Sequence, residues 1–130
     1  MENPTTGEEC PFCHVDREVI IENQDAMAIL DLYPVSAGHA LVIPKIHMTS
    51  VFDLPNPVYV ACFNLVRELK SILQSRYNPD GFNIEINCGI AAGQTVMHAH
   101  IHVLPRHQGD MQNPWGGVRH IIAGKGNYKS

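Results

Sequence analysis

An α+β fold, an antiparallel five-stranded sheet carrying one principal helix, is what the sequence predicts. Three observations lead there. Five short apolar runs of strand length are bounded by turn residues. One stretch, from Val58 to Leu73, repeats its apolar residues at three- and four-residue steps, the period of a helix. Strands outnumber helices and short turns join several neighbours, which favours antiparallel pairing with the helix on one face. At 130 residues the chain is read as a single domain over 1–130, with 1–14 as an N-terminal segment and 108–130 as a tail.

Each element has its own warrant. Asp16 to Glu22 carries Val19, Ile20 and Ile21, and Ala26 to Leu30 is a second apolar run. The polar Asn23-Gln24-Asp25 between them predicts a hairpin. Tyr33-Pro34 to Gly38 reads as a loop, and His39 to Pro44 as a third strand through Leu41, Val42 and Ile43. Asn56-Pro57 resembles an N-cap followed by proline at the first helical position. The stripe that follows is Val58, Ala61, Cys62, Leu65, Leu69, Ile72 and Leu73, and Asn78-Pro79-Asp80-Gly81 ends it. Gly81 to Asn87 alternates through Phe82, Ile84 and Ile86 as a fourth strand. Cys88 to Gly93 is a loop and His98 to Leu104 a fifth strand. The sequence assigns no element to the tail from Gln108 onward.

Composition narrows the function. Hydrophobic residues make up 45% and charged residues 17%, enough for a core and too few charges for a disordered chain. The formal net charge of −4 argues against non-specific binding to nucleic acid or anionic membranes, which draws on basic patches. A site for one small anion needs only local positive groups. No apolar run reaches the roughly 20 residues of a membrane helix. Met1 to Glu9 is polar and acidic without the parts of a secretory signal, so a reducing cytoplasm is expected. There the four cysteines are thiols or metal ligands, not disulfides.

Eight histidines are the unusual number, four of them between His98 and His107. In a strand, alternate side chains share a face. His98, His100 and His102 therefore point one way at a spacing of roughly 6.6 Å, while Ala99, Ile101 and Val103 face the core. A solvated histidine-rich strand is the plain alternative. A three-histidine zinc site is another, and the spacing along one strand is too wide for neighbouring ligands of one ion without help from other elements. Neutral imidazole is a nucleophile and a proton carrier, and phosphorus is a natural target. Asn87, Gln94 and Thr95 just upstream supply polar groups for phosphate oxygens.

The segment Gly93-Gln94-Thr95-Val96 followed by His98-Ala99-His100-Ile101-His102-Val103-Leu104 resembles the motif of the histidine triad (HIT) family. Leu30-Asp31, Gly38-His39-Ala40-Leu41-Val42-Ile43-Pro44-Lys45 and Asn87 extend the resemblance over roughly residues 10 to 107. Pro105-Arg106 and Gly109-Asp110 are similar to dinucleoside-polyphosphate hydrolases of the fragile-histidine-triad type, and the cysteine pair to bacterial HIT proteins. The resemblance implies a nucleotide hydrolase or nucleotidyl transferase acting at the α-phosphate. His100 would be the nucleophile, with His98 and His102 flanking it. Gln94, Thr95 and Asn87 would contact the phosphates or leaving group, Asp31 would bond the ribose hydroxyls, and His39 would lie near the site or simply start its strand. It also implies a homodimer whose sheets join across the interface. Two other activities stay open, a nucleoside phosphoramidate hydrolase and a nucleotide-binding module without turnover, as does a zinc-stabilised interaction domain.

Cys10-Pro11-Phe12-Cys13 has the gap of a metal knuckle, but zinc needs four ligands in a structural site. HIT relatives with this pair imply the others, here His47 and His98. With His14 the segment also matches a c-type haem attachment, which needs export, and the Cys-Pro-x-Cys form resembles a thioredoxin motif, which needs a preceding strand. Cys62 falls on the helix stripe. Lys45 and Arg106 are phosphate clamps or solvated strand ends, and Trp115 covers a base, a partner subunit or the tail itself.

Overall fold

The computed structural model describes residues 9–127. Five strands, β1 (Val19–Glu22), β2 (Ala26–Leu30), β3 (Ala40–Pro44), β4 (Gly81–Glu85) and β5 (Ile101–Arg106), form one sheet in the order β1-β2-β3-β5-β4. Every pairing is antiparallel. The single α-helix among the described residues, α1 (Asn56–Tyr77), lies across one face. This is the predicted α+β architecture.

Asn23 makes the first hairpin. Its side-chain oxygen accepts from the Asp25 and Ala26 N–H groups at 3.0 and 2.9 Å, which closes the turn before β2 begins. The helix buries Val58, Cys62, Leu65, Leu69 and Leu73, the core of the predicted stripe. They meet Ala26, Ala28, Ala40, Val42, Ile101 and Val103. The three alanines let the helix sit close to the sheet. Alternation then sends Ile29, Leu41 and Ile43 to the opposite face, where Cys10 and Phe12 cover them. Strand β3 is buried along its whole length because both of its faces and both of its edges are occupied.

Several sequence expectations are corrected. Asn56 is the first helical residue, not the cap. Pro55 takes the cap position, and its carbonyl accepts from Val58 and Tyr59 N–H at 2.9 Å each. The helix ends at Asn78, which adopts the left-handed conformation at φ 49°. The fifth strand begins at Ile101, not His98, because the Ala99 N–H donates instead to the Met48 carbonyl at 2.7 Å. The fourth strand stops at Glu85, leaving Asn87 in the loop. The alternative of a solvated histidine strand, by contrast, is excluded: His98 is fully buried and His100 is 8% exposed. Phe12 accounts for this, with its ring 5.9 Å from that of His98 and 5.2 Å from that of His100. The tail makes a short 3₁₀ turn over Gly117–Ile121 and leaves Trp115, Val118 and Ile121 exposed. The polar start of the chain through residue 8 lies outside the described residues.

No helix among the described residues is long and apolar enough to cross a membrane. Gly38, just before His39, has φ +87°, and a Cβ there would sit 2.6 Å from the Tyr77 ring. Gly38→Ala should therefore cost roughly 1–3 kcal/mol through the backbone conformation alone, with the clash in addition. Urea denaturation checks this. Adding Tyr77→Leu should recover the steric part only, and an unchanged midpoint in the single variant would show that the loop gives way freely.

Candidate active site and metal centre

The loop before β5 turns the first two triad imidazoles into different surroundings. His98 points into a cluster with Cys10, Cys13 and His47, whereas His100 and His102 line a cavity of about 370 Å³. Asp31, His39, Asn87 and Thr95 line that cavity as well, joined by Phe12, Arg17 and Tyr33. So the sequence-predicted residues divide into two adjacent sites that share the His98–His100 backbone.

His100 is held by its own chain. Its Nδ1 lies 2.8 Å from the His98 carbonyl oxygen, which can only accept. Nδ1 must therefore carry the hydrogen, and Nε2 keeps the lone pair in neutral imidazole. Burial, only partly offset by that hydrogen bond, holds His100 below the ordinary value of 6.5. A neutral imidazole at pH 7 is the consequence.

A second chain of donors fixes His102. The Val35 N–H donates to His39 Nδ1 at 3.2 Å. His39 Nε2 then bears the hydrogen and donates to His102 Nδ1 at 2.9 Å. His102 Nε2 is left as an N–H donor. Burial pushes both His39 and His102 below 6.5, while Asp31 pulls the other way. The Asp31 carboxylate stands 3.4 Å from His39 Nε2 and 3.9 Å from His102 Nδ1. It also accepts from the Tyr33 N–H at 2.8 Å, so its orientation is set from the chain end of β2.

Gln94 is brought close to the cavity but not onto its wall. It is 2% exposed, and its amide is spent on backbone. Oε1 accepts from Gly89 N–H at 2.9 Å, and Nε2 donates to the Thr49 and Val96 carbonyls at 2.9 and 3.0 Å. Gln94 shapes the loop that carries Gly93 and Thr95. Lys45 pairs with Glu22 at 2.7 Å. Arg106 is forked onto Asp110 at 2.8 and 2.7 Å and bonded to Asn83 at 2.7 Å, away from the triad cavity. Sequence reasoning missed Phe12, Tyr33 and Arg17. Phe12 had a signal, its place inside the cysteine knuckle. Arg17 had none.

In the metal cluster, His98 Nδ1 lies 3.3 Å from Cys10 Sγ, 3.5 Å from Cys13 Sγ and 3.2 Å from His47 Nδ1, and Cys13 Sγ is 3.2 Å from His47 Nδ1. One ring nitrogen cannot hydrogen-bond three ways in its own plane. Four atoms converging on one point do fit a cation. Zinc at about 2.3 Å from sulfur and 2.0–2.1 Å from nitrogen gives tetrahedral edges of roughly 3.3–3.8 Å, close to these separations. His98 Nε2 donates to the Pro44 carbonyl at 2.8 Å, which leaves Nδ1 its lone pair and orients the ring. Burial, and the Cys10 sulfur beside it, push the Cys13 thiol up to about 11, so without a cation both a proton and a neutral thiol are retained at pH 7. The donor set is compatible with zinc.

A model of the HIT domain matches residues 14–109. An adenylylsulfatase, HINT3 of Arabidopsis thaliana, is 34% identical over 115 residues, covering 85% of this chain and 58% of that protein. The chain thus spans little more than half of that relative's length. A bis(5'-adenosyl)-triphosphatase of Dictyostelium discoideum is 34% identical over 103 residues, covering 79% of this chain and 69% of that one. The crystal structure of a zinc-bound histidine triad family protein from Mycobacterium smegmatis superposes with a TM-score of 0.74 at 35% identity, covering 83% of this chain and 82% of that one.

Cobalt titration followed by absorbance tests the cluster. Two thiolates on a tetrahedral ion should give strong charge-transfer bands, and Cys13→Ala should weaken metal binding by at least about tenfold. Binding indifferent to that substitution would remove Cys13 from the centre.

Proposed function

The chain belongs to the HIT family, and from that premise we propose that it is a nucleotide hydrolase or nucleotidyl transferase acting at the α-phosphorus of a nucleotide conjugate through a covalent adduct on His100. One observation carries the reading. The Nδ1–H of His100 is tied to the His98 carbonyl, which leaves the Nε2 lone pair for a cavity that a nucleotide phosphate can enter.

The chemistry follows from the hydrogens already assigned. His100 Nε2 attacks the phosphorus, a P–N bond forms, and the bond from phosphorus to the leaving group breaks with its electron pair. The His102 Nε2–H, held in that tautomer through His39 and Val35, donates to a non-bridging oxygen as charge grows there. The Thr95 hydroxyl and Asn87 amide, in the same cavity lining, supply further donors. In the second step water attacks phosphorus, the P–N bond breaks, the lone pair returns to Nε2, and the water releases a proton. Asp31 receives the ribose hydroxyls as acceptor, and Gln94 acts through the loop it braces.

The donor set Cys10, Cys13, His47 and His98 would hold zinc, which when bound supplies a cross-link between the N-terminal segment and the triad. His98 then serves the centre with its ring and His100 with its carbonyl. Burial of Phe12 against both rings supports the same coupling. The names of the two curated relatives share an adenosine nucleotide and differ in what it is joined to, which supports a nucleotide hydrolase and leaves the leaving group open. A phosphoramidate hydrolase would use the same atoms with an amine departing. A homodimer and a cytoplasmic setting are part of the same proposal.

Two outcomes are expected. His100→Ala should lower turnover of a dinucleoside polyphosphate or a nucleoside phosphoramidate by at least about a thousandfold while nucleotide binding, measured by calorimetry, persists. Near wild-type rates would remove the nucleophile. For pH, a value held below 6.5 means that Nε2 stays unprotonated down through neutrality. The single-turnover rate should be flat above pH 7 and fall only on the acid side of about 6.5. A rate still climbing between pH 7 and 8 would contradict the neutral-imidazole assignment.

A further inference from the structure

Glu85, the half-buried last residue of β4, stands beside the reacting imidazoles without a partner. The register sets it directly opposite His102 on β5. Residues paired in this way project from the same face of the sheet, with Cβ atoms roughly 4.5–5.5 Å apart. Alternation along the chain agrees. Phe82 and Ile86 pack against the helix core, so Glu85 points to the other face, the one that carries His102. Asn87, two residues further on, lines the cavity, as does His102. Glu85 thus flanks the cavity between two of its lining residues. Among the described residues its carboxylate accepts no hydrogen bond and makes no ion pair. Its negative charge works against the downward push of burial on both His102 and His39.

The charges around the cavity are unevenly placed. Arg17 is the one arginine or lysine among the described residues that line it, and it donates to the Leu30 carbonyl beside Asp31. Lys45 is paired with Glu22, and Arg106 with Asp110. Leu30 belongs to β2 and Glu85 to β4, with β3 and β5 between them. The cation therefore sits at one end of the row of strands and an uncompensated carboxylate at the other, three strand spacings or roughly 14 Å away. A nucleotide with its ribose at Asp31 and its phosphorus at His100 runs from the end of β2 to the start of β5. The group joined to phosphorus on the side away from the ribose extends toward β4, where Asn87 and Glu85 stand.

We propose that Glu85 selects the leaving group by charge, favouring one that carries a cation, such as an alkylammonium arm, over an anionic one such as a further phosphate. A carboxylate and a phosphate brought together at the edge of a poorly solvated cavity repel, and an ammonium in the same place is attracted. Repulsion of the wrong ligand is as much a source of specificity as attraction of the right one. This inference rests on the nucleotide reading above and concerns which conjugate that site accepts.

Three AMP phosphoramidates with amine leaving groups of similar length test it: ethylenediamine, cationic at its far end, propylamine, neutral, and β-alanine, anionic. Their kcat/KM values are compared between wild type and Glu85→Gln at low ionic strength, so that differences in amine basicity cancel, with diadenosine triphosphate as a fourth substrate. Glu85→Gln should lower the ratio of the cationic to the anionic compound about tenfold, slowing the first and speeding the second. Glu85→Lys should lower it further. Raising salt to about 0.5 M should shrink the ratio in wild type. A ratio that is the same in wild type and Glu85→Gln overturns charge selection by Glu85 while nucleotide turnover stands. An equal loss on all three phosphoramidates also overturns it, because it marks a residue that only positions His102. So does a wild type that turns over diadenosine triphosphate and none of the three. If none of the four compounds is turned over, the nucleotide reading itself fails. Should Glu85→Gln not fold, the salt series on wild type decides alone, and a ratio indifferent to salt counts against the proposal.

Discussion

The hydrogen bond from His100 Nδ1 to the His98 carbonyl is the constraint on which the rest of the site depends. It exists because the chain has not yet entered the β5 ladder at that point. The Ala99 N–H is committed to Met48, so the His98 carbonyl is turned to where the imidazole two residues on can reach it. A side chain bonded to backbone two residues away keeps its orientation with little entropy left to lose. Burial then does the second half of the work. It keeps the ring neutral, and neutral imidazole with a fixed hydrogen has only one nitrogen with which to react.

The two faces of the sheet divide the labour. On one face, α1 packs Leu65, Leu69 and Leu73 over small strand residues, and this core holds the strands in register. On the other face the N-terminal segment takes the place of a second helix. Cys10 and Phe12 cover Ile29, Leu41 and Ile43. A segment this short has little area with which to hold itself down, and a cation held by its two sulfurs with His47 and His98 would give it an anchor of a different kind. The same packing buries the rings of His98 and His100. Structural cross-link and chemical tuning are therefore one arrangement seen from two sides.

What could be read from residues alone follows from periodicity. The helix stripe and the alternation of Ala99, Ile101 and Val103 with three imidazoles are local patterns, and local patterns survive folding. The start of the helix was misjudged because an Asn-Pro pair looks the same whether the cap is Asn56 or Pro55. The burial of His98 and His100 is not legible in the strand itself, because Phe12, more than eighty positions away in the chain, contributes to it. Gln94 looked like a phosphate donor from composition, yet its amide is consumed by three backbone partners that only the fold brings together. His39 was ambiguous in sequence, and only its contact with His102 gives it a chemical part. Arg17 carried no pattern at all, since only the fold brings it to the cavity wall.

The central claim is that phosphorus becomes bonded to His100. Rapid acid-free quenching of a single turnover, followed by mass spectrometry of the peptide that carries the triad, looks for that bond directly. A nucleotidyl mass on His100 that rises and decays at rates matching product release is the result required. Product formed at full rate with no adduct at any time, or with the adduct on His98 or His102 instead, would contradict it.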